Sequence, residues 1–351
     1  MALIRKQVFV DVYDAATGSL LKTWSDKVNI SEFSKDTNGG LGECIIELGE
    51  AIDYAGTELA VGNRVKVRVA DNDVAAGTTL TVYDGYISSM EPYVGDRREG
   101  ITIHVLGYHT RFAMDVLKNG LTTTISYSAQ DVGTIMRDII SKFLAVNTTV
   151  PITYDETSIP NSGTTVTYSF ERRTYAEAIE ALRRIAPQDY IFYIGADGVV
   201  MFSQKPVTPA HSFILGKHFS SIHIRTGIEK VKNVIIIWNG EKVTSIVYRG
   251  YEDTASVAAY GRRVELVNDY GISDAATADK FASRFLGENK DPEVVVEVEI
   301  MDNTEDATKG YDIENIEPGD TCKFIGFPVD FVSRYLGDNM LIRGSSIRPA
   351  R

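Results

Sequence analysis

Cysteine is nearly absent from this chain of 351 residues, in which Cys44 and Cys322 are the two thiols. Each lies in an alternating apolar and polar pattern typical of a strand, which predicts a buried free thiol. The two fall in different predicted β units, so a disulfide between them is not expected. We therefore expect a protein made and folded in a reducing cytoplasm.

Long apolar runs are missing as well. No stretch approaches the roughly 18 apolar residues that a membrane-spanning helix requires, and residues 1–6 lack the apolar core of a signal peptide. The sequence predicts no stable membrane insertion.

Positive charge is in deficit, with 36 Lys and Arg against 48 Asp and Glu, a formal net charge of −12. A surface that grips nucleic acid needs clustered Lys and Arg, so specific nucleic-acid binding is not expected. An acidic wall would instead let nucleic acid slide past it by repulsion.

Recognisable catalytic and metal-binding patterns are also lacking. The chain has no Gly-x-Ser-x-Gly elbow, and the glycine-rich residues 38–42 have no Lys-Ser/Thr after them, which disfavours a phosphate cradle. The histidines show no metal-ligand spacing; they are His104, His109, His211, His218 and His223. Three acidic pairs could serve as glycosidase acids, but solvated loops explain them better: Glu252 with Asp253, Glu305 with Asp306, and Asp312 with Glu314. The Arg172-Arg173 and Arg183-Arg184 doublets indicate a solvated helix face or a docking patch for an acidic partner. We predict no catalytic residues, no metal site and no cofactor.

A strand motif occurs twice. Residues 59–67 (LAVGNRVKV) and 316–324 (IEPGDTCKF) each place a Gly-Asn or Gly-Asp turn before an alternating strand, and each is followed by a second strand predicted to stop at a Pro, Pro92 or Pro349. Glycine permits positive φ, and Asp or Asn bonds back to the backbone, so both are hairpin signals. Gly62 to Ser88 and Gly319 to Ser345 both span 26 positions. This equal spacing predicts an internal duplication of one β unit.

The first third of the chain is predicted to be all β. Alternating patterns indicate strands at 8–13, 21–24, 43–48, 64–70, 80–90 and 101–107. Residues 33–42 are predicted to be a flexible, mobile loop.

The middle of the chain changes to helical periodicity. Ser128 is predicted to cap a helix, with Asp131 at its third position and with Val132, Ile135, Ile139 and Phe143 on one face. Further elements are predicted as a helix at 175–186 beginning after Thr174, and a hairpin at 190–202 around Ala-Asp-Gly.

The last third is predicted to be a second β unit with one helix. Its strands are expected at 232–238, 242–251, 260–267 and 293–301, with an Asn239-Gly240 turn and a helix at 274–286. The first unit continues with another strand after Pro92, whereas only two residues follow Pro349. Three interpretations are open: a partner supplies this strand, an open edge remains, or the natural chain runs on. An open apolar edge promotes aggregation, which favours the first and third.

Short motifs along the whole chain, taken in order, resemble those of the central hub proteins of phage-type tail baseplates. They are 33–42, Asp84-Gly-Tyr-Ile, 170–179, Val231-Lys-Asn-Val-Ile, Tyr260-Gly-Arg-Arg, the helix containing Ala278 that runs into Lys290-Asp-Pro292, and Pro318-Gly-Asp320.

This resemblance implies an α+β, mainly β fold with two tube-type β-barrels related by internal duplication and a small inserted α+β domain. The expected domains are a first barrel at 1–124, the inserted domain at 125–227, and a second barrel with one helix at 228–351. Three such chains would form a homotrimer whose six barrels stack under a hexameric tail tube.

The resemblance further implies a non-enzymatic virion component of the tail tip, assembled in the host cytoplasm, that forms part of the DNA ejection channel. Expected partners are the tail tube, distal tail, tape measure and tip or fibre proteins, with residues 36–42 and the inserted domain as contacts. The long C-terminal extension of larger members, with its peptidase or wall-cleaving chemistry, has no counterpart here. The alternatives are a tail-associated cell-wall-degrading enzyme and a carbohydrate-binding tail protein, the latter suggested by 18 tyrosines.

Overall fold

The computed structural model describes residues 6–50, 58–71, 79–95, 99–118, 122–240, 247–302, 310–336 and 340–347. Its strands are β1 (Lys6–Tyr13), β2 (Leu20–Trp24), β3 (Val28–Asp36), β4 (Asn38–Gly49), β5 (Arg64–Asp71), β6 (Leu80–Val94), β7 (Glu99–Gly107), β8 (Thr124–Asp131), β9 (Thr165–Glu171), β10 (Tyr190–Ile194), β11 (Val200–Gln204), β12 (His211–Ile214), β13 (Ile222–Gly227), β14 (Val234–Trp238), β15 (Tyr248–Glu252), β16 (Val264–Asn268), β17 (Glu293–Val298), β18 (Thr321–Ile325), β19 (Met340–Leu341) and β20 (Gly344–Ile347). Its α-helices are α1 (Val132–Val146), α2 (Tyr175–Ile185), α3 (Thr254–Tyr260), α4 (Ala275–Asn289) and α5 (Val329–Tyr335). The predicted fold class, α+β and mainly β, is confirmed.

The first β unit comprises β1 to β7. Its strands pair antiparallel in the order β3-β4-β7-β6-β5-β1-β2. Successive side chains of a strand point to opposite faces, so the alternating sequence buries one apolar face, with Val10, Val65, Ile103 and Cys44 inaccessible to solvent. The strands predicted from alternation are confirmed, although β6 runs through Pro92 to Val94 rather than stopping there.

The predicted flexible loop at 33–42 is wrong, because these residues form the adjoining ends of β3 and β4. β10 pairs with β4 in parallel at Asn38 to Gly40. A Cβ at Gly40 (φ +104°) would overlap the carbonyl oxygen of Ile194, and one at Gly39 would lie 2.7 Å from the His109 ring. The glycines therefore allow close approach of the β10 backbone and the His109 ring, and Phe33, Lys35 and Leu41 of the segment are buried.

The middle unit packs helices α1, α2 and α4 against the antiparallel pair β8-β9, the hairpin β10-β11 and the sheet β15-β14-β16. Helix α1 begins after Asp131, whose carboxylate accepts the Gly133 N–H, so the predicted cap at Ser128 is wrong. Helix α2 has the predicted start, and Thr174 forms a capping box with Glu177. The residues predicted on one face of α1 are buried.

The second β unit consists of β12-β18-β19 and β13-β17 around an apolar cluster that includes Phe213, Phe219, Phe324 and Cys322. Both thiols of the chain are free and buried, as predicted. Helices α3 and α5 were not predicted. Strand pairs β12-β18 and β13-β17 cross the expected boundary between 227 and 228, and the two domain boundaries stay predictions.

Candidate assembly interface

The two predicted turn motifs form the same local structure. Gly62 and Gly319 have φ of +94° and +92°. Each glycine N–H donates to an isoleucine carbonyl, that of Ile87 at 2.8 Å and that of Ile342 at 3.0 Å. The same isoleucines donate back to the carbonyl of the residue after the glycine.

The bonded residues are 25 positions apart in the first unit, Gly62 to Ile87, and 23 in the second, Gly319 to Ile342. The equal Gly–Ser spacing in the sequence therefore does not join structurally equivalent positions. The internal duplication itself stays a prediction.

The strand that the sequence leaves missing after β20 is supplied from within the chain. β20 pairs antiparallel with β3, Gly344 opposite Asp36 and Ile347 opposite Phe33. The backbone of Ile342 bonds to Gly319 and Asp320, just before β18. The carbonyl of the next residue, Arg343, accepts from the Thr37 N–H at 2.8 Å. Successive residues of a strand present their backbone groups to opposite edges, so β3 and β18 lie on opposite sides of residues 340–347. In the first unit β7 and β5 lie on opposite sides of β6 in the same way. This edge of β20 is therefore not open, and a strand from a partner or a longer chain stays a prediction.

Lys35 is the buried charge at this contact. Its Nζ donates to the Ile316 carbonyl at 3.3 Å and to Oε1 of Glu317 at 2.7 Å. Burial raises the pKa of Glu317, and the Lys35 ammonium opposes that rise. Loss of either partner would leave an uncompensated buried charge, so the pair fixes β3 against the turn that precedes β18.

The turn is also held from the second unit. Oδ2 of Asp320 accepts the Glu317 N–H at 2.9 Å, as predicted for an acidic turn residue. The same oxygen lies 2.9 Å from Nε2 of His211, whose Nδ1 lies 2.9 Å from the Tyr311 hydroxyl. His211 is thus a structural residue.

A second charged contact joins β1 to the second unit. Nζ of Lys6 lies 2.8 Å from Oδ1 of Asp302 and 3.4 Å from Oδ1 of Asp312, and it also bonds to Oε2 of Glu314. Glu314 is buried, so a solvated loop does not describe it.

The remaining candidate acids have structural partners. Glu252 bonds to Arg262, and Asp253 caps α3 and lies 2.9 Å from the Lys290 ammonium. Glu305 and Asp306 lie outside the described residues.

The other histidines and the arginine doublets lie apart from one another. Nδ1 of His104 lies 2.8 Å from Glu43, Nδ1 of His218 lies 3.3 Å from the Ile214 N–H, His223 is exposed, and burial lowers the pKa of His109. Arg183 and Arg184 both bond to Glu180, whereas Arg173 bonds to Asp269, 2.6 Å away. Arg172 has positive φ.

Within the described ranges, no cluster of His, Cys, Asp and Glu could hold a metal ion. In the same part of the chain, no helix has both the length and the apolar character to span a membrane.

The outer face of the β15-β14-β16 sheet exposes apolar side chains, and Glu252 and Asn268 lie at its margin. Its exposed fractions are 37% for Trp238, 65% for Tyr248, 42% for Val264 and 67% for Leu266. Gly250 shares this face, and a Cβ there would have no atom within 4 Å. Among the described strands, β15 and β16 pair only with β14. The sequence did not predict that Val264 and Leu266 are exposed, because period-2 alternation does not reveal which face of a strand is covered.

The fold assembled from these units is that of phage and prophage tail proteins. The 43 kDa tail protein of prophage MuSo2 from Shewanella oneidensis shares it with a TM-score of 0.59 and 15% identity, over 97% of this chain and 93% of that chain. A tail protein of Neisseria meningitidis MC58 has a TM-score of 0.60 at 9% identity, with 97% and 91% covered. Prophage tail protein gp18 of Listeria monocytogenes EGD-e has a TM-score of 0.57 at 11% identity, over 98% of this chain and 90% of that chain.

At these identities the likeness lies in the fold. At that level the resemblance to tail proteins inferred from the sequence motifs is confirmed. No protein-family model and no curated protein matches the sequence.

Proposed function

We propose that this chain is a structural, non-enzymatic component of a phage-type tail tip. Three copies would form a hub that adapts a hexameric tail tube to three-fold symmetry and lines part of the DNA channel. The observation that carries the proposal is the fold shared with tail proteins over 97–98% of this chain and at least 90% of theirs.

The junction between the two β units supports this role. β20 on β3 and the Lys35–Glu317 pair join the units into one strand-paired body. A ring of six β units from three chains needs such a fixed junction within each chain, and it needs a second kind of junction between chains. The net charge of −12 suits a channel that DNA must pass without binding.

We assign the junction between chains to the open β15-β14-β16 sheet, with a second copy of this chain as its occupant. The four exposed side chains offer roughly 400 Å² of apolar surface, about half of the ~800 Å² that a stable interface buries on each partner. Main-chain pairing along β16, which pairs with β14 alone among the described strands, would extend the contact. Gly250 leaves room in this face for a side chain of the neighbouring copy.

Leu266→Asp tests this assignment. A carboxylate on the covered face would weaken assembly by at least tenfold, whereas the solvent-exposed residue would have little effect on folding. Val94→Asp is the matched control, because Val94 is 73% exposed on a different unit. If the two variants had the same sedimentation coefficient, the β15-β14-β16 sheet would not be part of the contact between chains.

Cryo-electron microscopy of the purified chain tests the proposed architecture. We expect three-fold particles with a central opening surrounded by six β units. Particles that are monomeric, or rings of another order, would overturn the proposal. Incubation with bacterial cell walls should release no sugar or peptide, and release would support the enzymatic alternative.

A further inference from the structure

Lys6 lies in a cluster that holds one cation among three carboxylates. Its Nζ contacts Asp302, Asp312 and Glu314, and the side chains of Lys6, Asp302 and Glu314 are at most 11% exposed. Lys6 is the first described residue of β1, whereas the three acids belong to the second β unit. The cluster therefore ties the two units at a point separate from Lys35.

The acidic side of this cluster is a compact segment. A backbone bridge joins Asp302 to Tyr311, and the Tyr311 N–H donates to the Met301 carbonyl at 2.8 Å. A 3₁₀ turn then covers Ile313–Asn315. Ile313 packs against the apolar cores of both β units. Opening of this segment would therefore expose apolar contacts of both units together with the cluster.

One ammonium cannot neutralise three carboxylates, of which Asp302 and Glu314 are buried and Asp312 is half-exposed. Burial and a hydrogen bond with Asp312 raise the pKa of Glu314 to about 7, and Lys6 opposes the rise. Burial would raise the pKa of Asp312 too, but the bond from Glu314 and the charge of Lys6 bring it below its usual value. Near neutral pH these two acids therefore share a proton. Among the described residues, the charged groups facing Glu314 are Lys6, Asp302 and Asp312.

We propose that the Lys6 cluster is a protonation-dependent clasp, which fastens β1 of the first β unit to residues 310–316 of the second and loosens when Glu314 loses its proton. The clasp is a property of one chain and does not depend on the trimer or on the tail-tip role.

The direction of the pH effect follows from Glu314. Its pKa in the closed clasp, about 7, lies above the ordinary value of 4.5 that it regains on opening. The stabilisation is complete below the ordinary value and is lost as pH rises toward the raised one. The opening constant of the clasp should therefore rise by about tenfold for each pH unit between these two values and level off above about pH 7.

Hydrogen exchange of the full chain from pH 5 to pH 8.5, corrected for the intrinsic exchange rate, tests the clasp. The amides of Tyr311 and Ile316, both hydrogen-bonded, should lose protection by about 40-fold between pH 5 and pH 7. Amides of α1, in a different core, should show no such slope. A level wild-type profile at Tyr311 and Ile316 would overturn the proposal.

Glu314→Gln keeps a hydrogen-bond donor toward Asp312 and removes the titration, so its clasp should stay closed throughout the range. Glu297→Gln is the control, because Glu297 is an exposed partner of Arg225 on β17, and it should keep the wild-type slope. Lys6→Met should lower protection of residues 310–316 at every pH. An unchanged slope in Glu314→Gln would contradict the assignment of the proton to this residue.

Discussion

At the scale of single residues, buried charge sets the relation between the two β units. Lys35 comes from β3, and its partners, Ile316 and Glu317, lie 281 and 282 positions along the chain. Both belong to the turn that launches β18. A charge removed from water at this depth persists only where it is paired and hydrogen-bonded, so the turn can occupy only one position on the first unit.

Lys35→Met should lower the free energy of unfolding by about 3 kcal/mol, because the Glu317 carboxylate is left without its cation. Urea denaturation followed by tryptophan fluorescence measures the loss. Adding Glu317→Gln to the same chain should restore more than half of it, since no unpaired charge is then buried.

The matched control for that substitution is Lys230→Met, because the Lys230 side chain is 80% exposed beside Glu293. Surface pairs of this kind contribute about 0.5 kcal/mol or less. Equal losses in the two variants would show that the Lys35 pair does not hold the units together.

Gly40 is the second decisive residue, since β10 approaches its backbone directly. Gly40→Ala should lower the free energy of unfolding by about 3 kcal/mol or more, through overlap with the Ile194 carbonyl and strain at φ +104°. Thermal denaturation by circular dichroism gives the comparison. Gly18→Ala, at φ +68° with no atom within 4 Å, should cost only about 1 kcal/mol, and a similar effect at both sites would contradict close packing at Gly40.

At the scale of elements, β20 is the strand that joins the units, and its backbone carries the contact. Ser345 lies opposite Lys35 of β3. Its backbone groups point to the same edge of β20 as those of Arg343, whose carbonyl accepts from the Thr37 N–H. Its hydroxyl makes no hydrogen bond within the described residues. The side chain and the backbone of this residue can therefore be tested separately.

Ser345→Pro should cost about 3 kcal/mol and raise hydrogen exchange in β3, because proline removes a donor from the ladder. Ser345→Ala should be nearly neutral, since the hydroxyl has no partner to lose. If the proline variant left exchange in β3 unchanged, β20 would not be the element that joins the units.

Local signals were sufficient for many elements. The start of α2 was predictable because Thr174 and Glu177 form the capping box without help from distant residues. Six of the seven strands of the first unit followed from alternation for the same reason, whereas β3 was not predicted.

The errors came from distant partners. Both Ser128 and Asp131 suit a helix cap. Because Asp131 pairs with Thr165 of β9, strand β8 continues as far as Asp131, and the helix begins only after it. Residues 38–42 have the composition of a loop, and only contact with β10 and His109 makes their glycines necessary in a strand. The Lys35 and Lys6 contacts span nearly 300 positions or more, and no spacing rule connects residues so far apart.

At the scale of the whole molecule, one chain already contains two linked β units and an open apolar sheet. In the proposed hub, the first feature would give each copy two places in a ring, and the second would give it a surface for a neighbouring copy. Together with the tail-protein fold, these features are the basis of the proposed three-fold hub.

The mass of the purified protein in solution tests that proposal most directly. Size-exclusion chromatography with light scattering at micromolar concentration should give about 116 kDa, three times the 38.7 kDa of one chain. A mass of 38.7 kDa that does not change with concentration, or a dimer of about 77 kDa, would contradict the account.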